Sequence, residues 1–350
     1  HKKYDEARTV EVLSAADDRV EAKCQHFSIC GGCSLMHMSP EAQLAHKQAT
    51  LAEHFTHFGN LSPEQWLEPL TGPLWGYRRK ARLGVKYVAK KEQVLVGFRE
   101  KSSPYIAMLE QCEVLDPRVG YRLTDLASLI GGLEAYNRIA QIEVAMDDEH
   151  VALVFRNLDE LSETDKNALI NFGQNNNLWI YQQPGGPDTV SLLWPESAQL
   201  SYAPEAGLNL QFDPSDFTQV NAGINEKMIQ RAMTLLDVQD GDRILDLFCG
   251  LGNFTLPLAK RVTEVVGVEG DAALVQHAKN NAALNALSNA EFEQADLTQT
   301  ELKDYPWAQK GFNKILLDPP RSGAFEVLHQ LAALGAERLV YVSCNPATLA

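Results

Sequence analysis

The pattern of hydrophobic and polar positions divides most of the chain into two parts with different rhythms. From about residue 76 to residue 210, short segments rich in β-branched and aromatic residues alternate with turns, and helical stretches interrupt them near residues 119–130 and 162–174. The predicted strands have the sequences ARLGVKYV, QVLVGF, IEVAMDD, HVALVF and LWIYQQ. This pattern predicts an antiparallel α+β domain, which we place at residues 21–212.

After about Asp213, predicted helices and strands alternate regularly. A helix over residues 221–236 precedes the strand RILDLF, and the strands EVVGVE, AEFEQAD, NKILLD and RLVYVS follow. Helices are predicted at 253–260, 271–284 and 324–334, with a polar helix between the third and fourth strands. Such alternation predicts an α/β fold with a doubly wound, Rossmann-like parallel sheet over residues 213–350.

The first 60 residues fit neither rhythm. Residues 1–20 contain one alternating segment, RTVEVLSA, and a charged turn, which together are too short for a domain. A helix is predicted to begin at Ser39-Pro40 and to end at Gly59-Asn60, because these residue pairs are typical start and stop signals.

The formal net charge of −15 argues against nucleic acid as a partner, but residues 73–101 depart from it, with nine Lys or Arg against two Glu. The aromatic residues among them are Trp75, Tyr77, Tyr87 and Phe98. Such a surface can bind phosphates and stack unpaired bases, with Arg78, Arg79, Lys80 and Arg82 as candidate RNA-binding residues. The alternative is a solvated β-hairpin. No apolar segment approaches the length of a membrane helix, so we expect a cytoplasmic protein without a membrane partner.

Four of the six cysteines have the spacing of a metal site. They are Cys24, Cys30 and Cys33, in a C-x5-C-x2-C pattern, and Cys112. Disulfides have little use in a cytosolic chain of this size, and the two glycines between Cys30 and Cys33 let backbone N–H groups turn toward sulfur. Four thiolates suit either a zinc ion or an iron–sulfur cluster, and spacing hardly separates them. His26 and His37 are alternative ligands that would favour zinc.

The stretch ILDLFCGLGNFTLPLA places Gly250 and Gly252 between a strand and a helix, where glycines permit a tight turn against a ligand. Nicotinamide enzymes use the same device. The third glycine of their fingerprint is replaced here by Thr255, so the pattern for binding a pyrophosphate is incomplete.

Acidic residues complete this candidate cofactor site. Asp246 precedes the turn, where it can hold an amino group or order the loop. Glu269 ends the second strand and can accept both ribose hydroxyls, and Asp296 ends the third, where an adenine amino group would lie. These residues favour S-adenosylmethionine (SAM), an adenosine ligand without phosphates, over NAD.

Two further strands end in candidate catalytic residues. Asp318 lies in LLDPPRSGA and Cys344 in YVSCNP, and the carboxyl ends of parallel strands face one cleft. A thiolate that adds to C6 of a pyrimidine makes C5 nucleophilic toward a methyl donor, provided that the base leaves its stack. Asn345 and nearby backbone amides are expected to supply a polar setting for the thiol. The alternatives are a buried structural cysteine and a helix-capping aspartate.

The segments DFTQVNAGIN, LDLFCGLGNFTLPLA, VVGVEG, LLDPPRSGA and YVSCNPATLA resemble the motif series of the RNA uracil-C5 methyltransferases, and the cysteine spacing resembles that of members acting on 23S ribosomal RNA. The resemblance implies a class I SAM-dependent methyltransferase fold and Cys344 as nucleophile. It also implies a [4Fe-4S] cluster on Cys24, Cys30, Cys33 and Cys112. The implied SAM contacts are Gln219, Phe248, Asn253, Glu269, Asp296 and Asp318. Phe217 is the implied stacking partner of the flipped uridine.

Two features of that family are not found in the sequence. The family members with this cysteine spacing begin with a small RNA-binding barrel, of which residues 1–20 resemble only the tail. Two more strands and a glutamate base are expected after the cysteine strand, so we interpret the chain as incomplete. We expect a monomer that forms 5-methyluridine in 23S rRNA. The alternatives are another RNA target, a SAM enzyme acting on nitrogen, and an RNA-binding scaffold without turnover.

Overall fold

The computed structural model describes residues 9–297 and 301–350. The first eight residues of the predicted barrel remnant therefore lie outside the described residues. From residue 9 to residue 16 the alternating segment is exposed and forms no strand, because it has no neighbouring strand to pair with in the described chain. The charged turn is present at residues 17–18, and a single bridge joins Arg19 to Met38.

The predicted N-terminal helix is confirmed as α1 (Pro40–His54). The Ser39 hydroxyl accepts a hydrogen bond from the backbone N–H of Ala42 and caps its first turn. A π-helical turn, Phe55–Gly59, continues α1 and ends at Asn60, whose backbone is left-handed. The helical segment formed by α1 and this turn therefore ends where the Gly-Asn stop signal predicts.

A six-stranded sheet forms the first half of the molecule, in the order β2-β1-β3-β4-β5-β6. Its strands are β1 (Ala81–Val88), β2 (Gln93–Gly97), β3 (Ile139–Met146), β4 (Val151–Asn157), β5 (Trp179–Gln182) and β6 (Ser191–Trp194). Its helices are α2 (Pro117–Gly120), α3 (Leu123–Gly131) and α4 (Glu163–Asn176). The sheet is not wholly antiparallel as predicted, because α4 carries the chain back across the sheet and makes β4 and β5 parallel.

A five-stranded parallel sheet forms the second half, in the order β11-β10-β9-β12-β13. Its strands are β9 (Arg243–Leu247), β10 (Glu264–Glu269), β11 (Ala290–Gln294), β12 (Lys314–Leu317) and β13 (Arg338–Tyr341). Helices α5 (Ala222–Leu236), α6 (Thr255–Ala259), α7 (Ala272–Leu284), α8 (Phe325–Leu331) and α9 (Pro346–Leu349) accompany it. The predicted doubly wound parallel sheet is confirmed, and its order reverses at β9.

One predicted helix is wrong. Between β11 and β12, the described part of the chain forms only two short 3₁₀ turns, Leu302–Asp304 and Pro306–Lys310. Pro306, which begins the second turn, interrupts any continuous helix, because proline has no backbone N–H to donate. Residues 298–300 lie outside the description.

A short hairpin, β7 (Leu200–Tyr202) and β8 (Leu210–Phe212), joins the two sheets. Leu200 and Phe212 of the hairpin pack in one buried cluster with Val154 of the first sheet and Leu251 of the loop after β9. The candidate cofactor loop therefore rests on the first half of the molecule. Within the described residues, no helix is long and apolar enough to cross a membrane.

Candidate active site

The turn after β9 has the strained backbone that its glycines predict. Phe248, Gly250 and Gly252 have φ angles of 63°, 54° and 91°. A Cβ at Gly252 would lie 3.2 Å from Leu256 Cγ, whereas a Cβ at Gly250 would meet no protein atom within 4 Å. Gly250 is therefore required by its backbone conformation, and it faces open space in which a ligand can approach the main chain.

Glu269, at the end of β10, holds this turn in place. One carboxylate oxygen accepts a hydrogen bond of 3.1 Å from the N–H of Gly250. The other accepts bonds from the N–H groups of Gly270 (2.7 Å) and Asp271 (3.1 Å). The carboxylate is thus fixed by backbone donors at the position predicted for a ribose acceptor. Oε1 already accepts two hydrogen bonds, whereas Oε2 accepts one and keeps a lone pair for a further donor.

Asp246 lies beneath the turn and is fully buried. One oxygen accepts a 2.6 Å hydrogen bond from the Thr255 hydroxyl, while Oδ1 has no partner among the described residues. Burial raises the pKa of Asp246 to about 7, and the negative charges of Asp318 and Glu269 add to this effect. Burial also raises the pKa of Asp318 to about 6. Three carboxyl groups at one end of the sheet, one with an unpartnered oxygen, suit a ligand that carries positive charge.

The remaining predicted cofactor residues surround the same end of the sheet. Asn253 and Asn225 exchange two amide hydrogen bonds of 2.8 Å and 2.9 Å, and the Tyr202 hydroxyl donates to Asn253. Gln219 lines a small cavity with Asn225 and Tyr202. Asn253 therefore uses its side chain to tie the loop to α5.

Asp296 follows the end of β11 by two residues and is exposed. β11 pairs with β10 in register from Val265 to Glu269, so Asp296 and Glu269 lie at the same end of the sheet. Asp296 thus follows the strand end as predicted, and its contact to an adenine stays a prediction.

Cys344 follows β13 and is exposed. β12 and β13 pair in parallel up to Leu317 and Tyr341. Asp318 and Cys344 therefore both follow the carboxyl ends of strands, at the same end of the sheet. Cys344 lines a groove of about 430 Å³ together with Lys47 and Leu51 of α1. The contribution of α1 was not predicted, since nothing in its sequence indicates that it lies against the cysteine turn.

Asn345 does not serve the thiol as predicted. Its side-chain oxygen Oδ1 caps α9 by accepting a hydrogen bond from the N–H of Ala347. Its side-chain Nδ2 donates to the backbone carbonyl of Arg321, and both distances are 3.1 Å. Thr348 also donates to the Arg321 carbonyl. Asn345 instead fixes the cysteine turn against the loop that follows Asp318.

The four clustered cysteines line one cavity of about 240 Å³, together with Arg78, Phe98 and His26. The Gly32 N–H points at Cys30 Sγ, at 3.4 Å, as its sequence position predicts. Burial raises the pKa of Cys30 and Cys112, and that of Cys33 to about 11. A metal ion would be needed to hold these thiols as thiolates at neutral pH.

The spacing of these sulfurs distinguishes between metal types. In a tetrahedral zinc site, Zn–S bonds of about 2.3 Å place the sulfurs about 3.8 Å apart. In the described chain, no three cysteine sulfurs lie within 4.8 Å of one another. The alternative ligand His26 uses Nε2 to accept from the Glu110 N–H, and His37 packs against Phe27 outside the cavity. The arrangement is wider than one zinc ion requires.

The predicted RNA-binding residues divide into different environments. Arg82 is largely exposed and pairs with Glu143, and Arg79 pairs with Asp148 at 2.6 Å. Arg78 faces the cysteine cavity. Phe217 is 68% exposed, as a stacking residue must be.

Lys80 and two of the predicted stacking residues are corrected by the structure. The Lys80 ammonium donates to the Pro214 and Asp216 carbonyls and is half-buried, so a phosphate cannot take its hydrogen bonds without breaking these. Tyr87 and Phe98 pack against the core of the first sheet, because they follow the inward face of the hairpin. Both are therefore half-buried and support the sheet, which was not predicted for them.

Sequence reasoning missed His277 of α7. Its Nδ1 lies 3.0 Å from Asp216 Oδ2, and the Asp213 N–H donates to the same oxygen at 2.7 Å. These contacts hold the turn that leads directly into Phe217 and Gln219. The pairing joins residues 61 positions apart, and no local pattern signals it.

Residues 206–350 match the family model described as tRNA (Uracil-5-)-methyltransferase. The chain is similar to two proteins named 23S rRNA (uracil(1939)-C(5))-methyltransferase RlmD. It is 57% identical to the protein from Nitrosococcus oceani over 349 residues and 57% identical to that from Alkalilimnicola ehrlichii over 347 residues. Each alignment covers 99% of this chain and 78% of the relative.

Its fold is similar to the crystal structure of the tRNA (uracil-54, C5)-methyltransferase of Pyrococcus abyssi in complex with S-adenosyl-L-homocysteine. The TM-score is 0.72 at 21% identity, and the match covers 97% of this chain and 79% of that one. At this identity the likeness concerns the fold.

Proposed function

This chain belongs to the RlmD family of 23S rRNA (uracil-C5)-methyltransferases, and on that premise we propose that it methylates C5 of a uridine in 23S ribosomal RNA with SAM as methyl donor. The observation that carries the proposal is the exposed Cys344. It follows β13 at the same carboxyl end of the sheet as Asp318 and the Gly250 turn. A nucleophile at this end of the sheet lies on the same side as a methyl donor bound at the turn.

The residues around the Gly250 turn fit SAM, which supplies an electrophilic methyl group on a sulfonium. Glu269 is positioned to accept from ribose hydroxyls, with Asp296 near the adenine. The unpartnered oxygen of buried Asp246 and the neighbouring Asp318 offer negative charge to a cationic ligand. Open space in front of Gly250 lets the ligand approach the backbone. We propose Gln219, Phe248, Gly252 and Asn253 as further contacts of the cofactor; the position of Phe248, Gly252 and Asn253 on or next to the Gly250 turn supports this.

Cys344 acts on the uridine. Its thiolate forms a bond to C6, and the C5–C6 electron pair moves toward the C4 carbonyl oxygen as an enolate. C5 is then nucleophilic and forms a bond to the methyl carbon, while the bond from that carbon to the sulfonium breaks and a neutral thioether leaves. A base then takes the C5 proton, the C5–C6 double bond forms again and Cys344 leaves C6 as the thiolate. Phe217, exposed beside Gln219, is suited to stack on the extruded base.

We propose that the four-cysteine cavity holds the [4Fe-4S] cluster that the family resemblance implies; its four thiols and the Gly32 N–H that points at Cys30 Sγ support this proposal. Cys24, Cys30, Cys33 and Cys112 would be the ligands, with the Arg78 guanidinium beside their negative charge. Methyl transfer involves no electron, so we assign the cluster a structural role.

The experiment is methyl transfer from labelled SAM to an unmodified 23S rRNA transcript, followed by digestion to nucleosides. Wild-type protein should yield 5-methyluridine, and Cys344→Ala should yield none. His329→Ala, a change at an exposed position of α8, serves as the control. Label on a nitrogen or on ribose would favour a different methyltransferase, and label retained by Cys344→Ala would refute the assigned nucleophile.

A further inference from the structure

Three surface grooves follow one another from Cys344 to the β1–β2 hairpin. The first contains Cys344 and Leu35, and the preceding residue, Ser34, lines the second groove, of about 730 Å³. The second and third grooves share residues 98–100, and the third extends along β1 with a volume of about 930 Å³. The second and third grooves thus form one depression, and the Cys344 groove comes next to it at Ser34 and Leu35; we call the three grooves together the channel.

The charge of this channel is opposite to that of the chain. The Lys and Arg side chains that line it are Lys47, Arg82, Lys86, Lys91, Arg99 and Lys101. Its acidic lining residues are Glu100 and Glu110. The whole sequence has 31 Lys and Arg against 46 Asp and Glu, so this excess is local. Among the described residues, only Arg82 of the six pairs with a carboxylate, that of Glu143.

The third groove also has exposed apolar side chains. Tyr105 is 71% exposed and Met108 is 56% exposed. The Ile106 side chain holds their segment against the sheet, because it packs on Gly84, which has no side chain. A Cβ at Gly84 would lie only 2.4 Å from Ile106 Cδ1. Tyr105 is therefore presented on a fixed support, which suits stacking on an unpaired base.

The floor of the second groove is fixed to the cysteine loop. The Gly31 N–H donates to the Arg99 carbonyl, and the Lys101 N–H donates to the Ile29 carbonyl, both at 2.8 Å. The Lys101 ammonium lies 3.9 Å from the centre of the Phe27 ring. The cations at the middle of the channel are thus held in position by the loop that contains Cys30 and Cys33.

We propose that this channel binds the single-stranded RNA that flanks the target uridine, with phosphates along the six cations and one base stacked on Tyr105. The positive charge selects a polyanion, and the aromatic residue selects one with unpaired bases. This inference rests on the proposed function and adds to it a substrate requirement: a single-stranded flank long enough to reach the hairpin.

The test compares two RNAs, a short one limited to the target loop and a long one with single-stranded extensions on both sides. Their Kd values are measured by fluorescence anisotropy with the full chain. Lys86→Gln/Lys91→Gln and Tyr105→Leu should each weaken the long RNA about tenfold and leave the short RNA nearly unchanged. The double variant should also lower the slope of log Kd against log salt by about 1.4, or about 0.7 for each lost phosphate contact.

Lys90→Gln is the matched control, since Lys90 is exposed on the same turn but does not line the channel. Equal Kd values for the long RNA in wild type, Lys90→Gln and the two test variants would overturn the inference. Methylation of the short RNA is measured in parallel. If wild type does not methylate the short RNA, the proposed function is refuted. If wild type methylates it but the test variants bind the long RNA as tightly as wild type, only the channel is refuted.

Discussion

The buried carboxyl of Asp246 makes the stability of the ligand-free protein depend on pH. Its pKa of about 7, well above the ordinary 3.8, means that the folded state favours the neutral form. A raised pKa contributes stability below the unfolded value, and that stability is lost as pH rises through about 7. Asp246→Asn replaces the carboxyl by a permanently neutral group that can still accept from Thr255, so it removes this dependence.

The magnitude follows from the two pKa values. At about pH 5.5 the folded group is mostly neutral and at about pH 8 it is mostly ionised, which corresponds to a loss of about 2 kcal/mol in the free energy of unfolding across this range. Asp246 is fully buried, so solvent screening reduces this figure little. The free energy of unfolding of Asp246→Asn, measured relative to that of wild type, should therefore be about 2 kcal/mol higher at about pH 8 than at about pH 5.5.

The assay is urea unfolding at several pH values without ligand and with saturating SAM. Asp240→Asn, at an exposed turn position, is the control and should follow wild type at every pH. A cationic ligand favours the ionised carboxyl, so SAM should flatten the wild-type dependence and should bind more tightly as pH rises through about 7. Parallel curves for wild type and Asp246→Asn would refute the reasoning, because they would show that Asp246 does not titrate in this range.

Three further outcomes are expected. Gly250→Ala places a methyl group in the open space before the turn and imposes a left-handed backbone on alanine, so isothermal titration should show SAM binding weakened at least about tenfold, whereas Gly241→Ala should bind normally. His277→Ala removes the contact to Asp216 and should lower kcat/KM for RNA about tenfold, with His329→Ala unchanged; equal values would show that the turn before Phe217 needs no such support. Anaerobically purified protein should contain iron and sulfide and absorb visible light, and Cys33→Ser should lose both; a colourless protein containing zinc would contradict the cluster.

Local signals predicted most of the fold. The strand–helix alternation after Asp213 and the glycine turn after β9 are local patterns, and both are confirmed. The antiparallel prediction failed at β4–β5 because strand direction depends on the path of α4. The strands β6, β7 and β8 contain three or four residues each, too few to show a period.

The site was predictable where one strand end determines a side chain's position. Asp246, Glu269, Asp318 and Cys344 follow this rule. Lys80 and Asn345 do not, since their partners are backbone carbonyls distant in sequence or in a neighbouring loop. The same limit explains why His277 and α1 were missed: tertiary packing alone brings them to the site.

The central claim is that Cys344 attacks C6 of the target uridine, and trapping of the covalent intermediate tests it most directly. RNA with 5-fluorouridine at the target position cannot lose a C5 proton, so attack by Cys344 in the presence of SAM should leave a protein–RNA adduct that survives denaturation. Mass spectrometry of the digested adduct should locate the RNA on the peptide that contains Cys344, and Cys344→Ala should form none. An adduct on another residue, or one that persists in Cys344→Ala, would contradict the account.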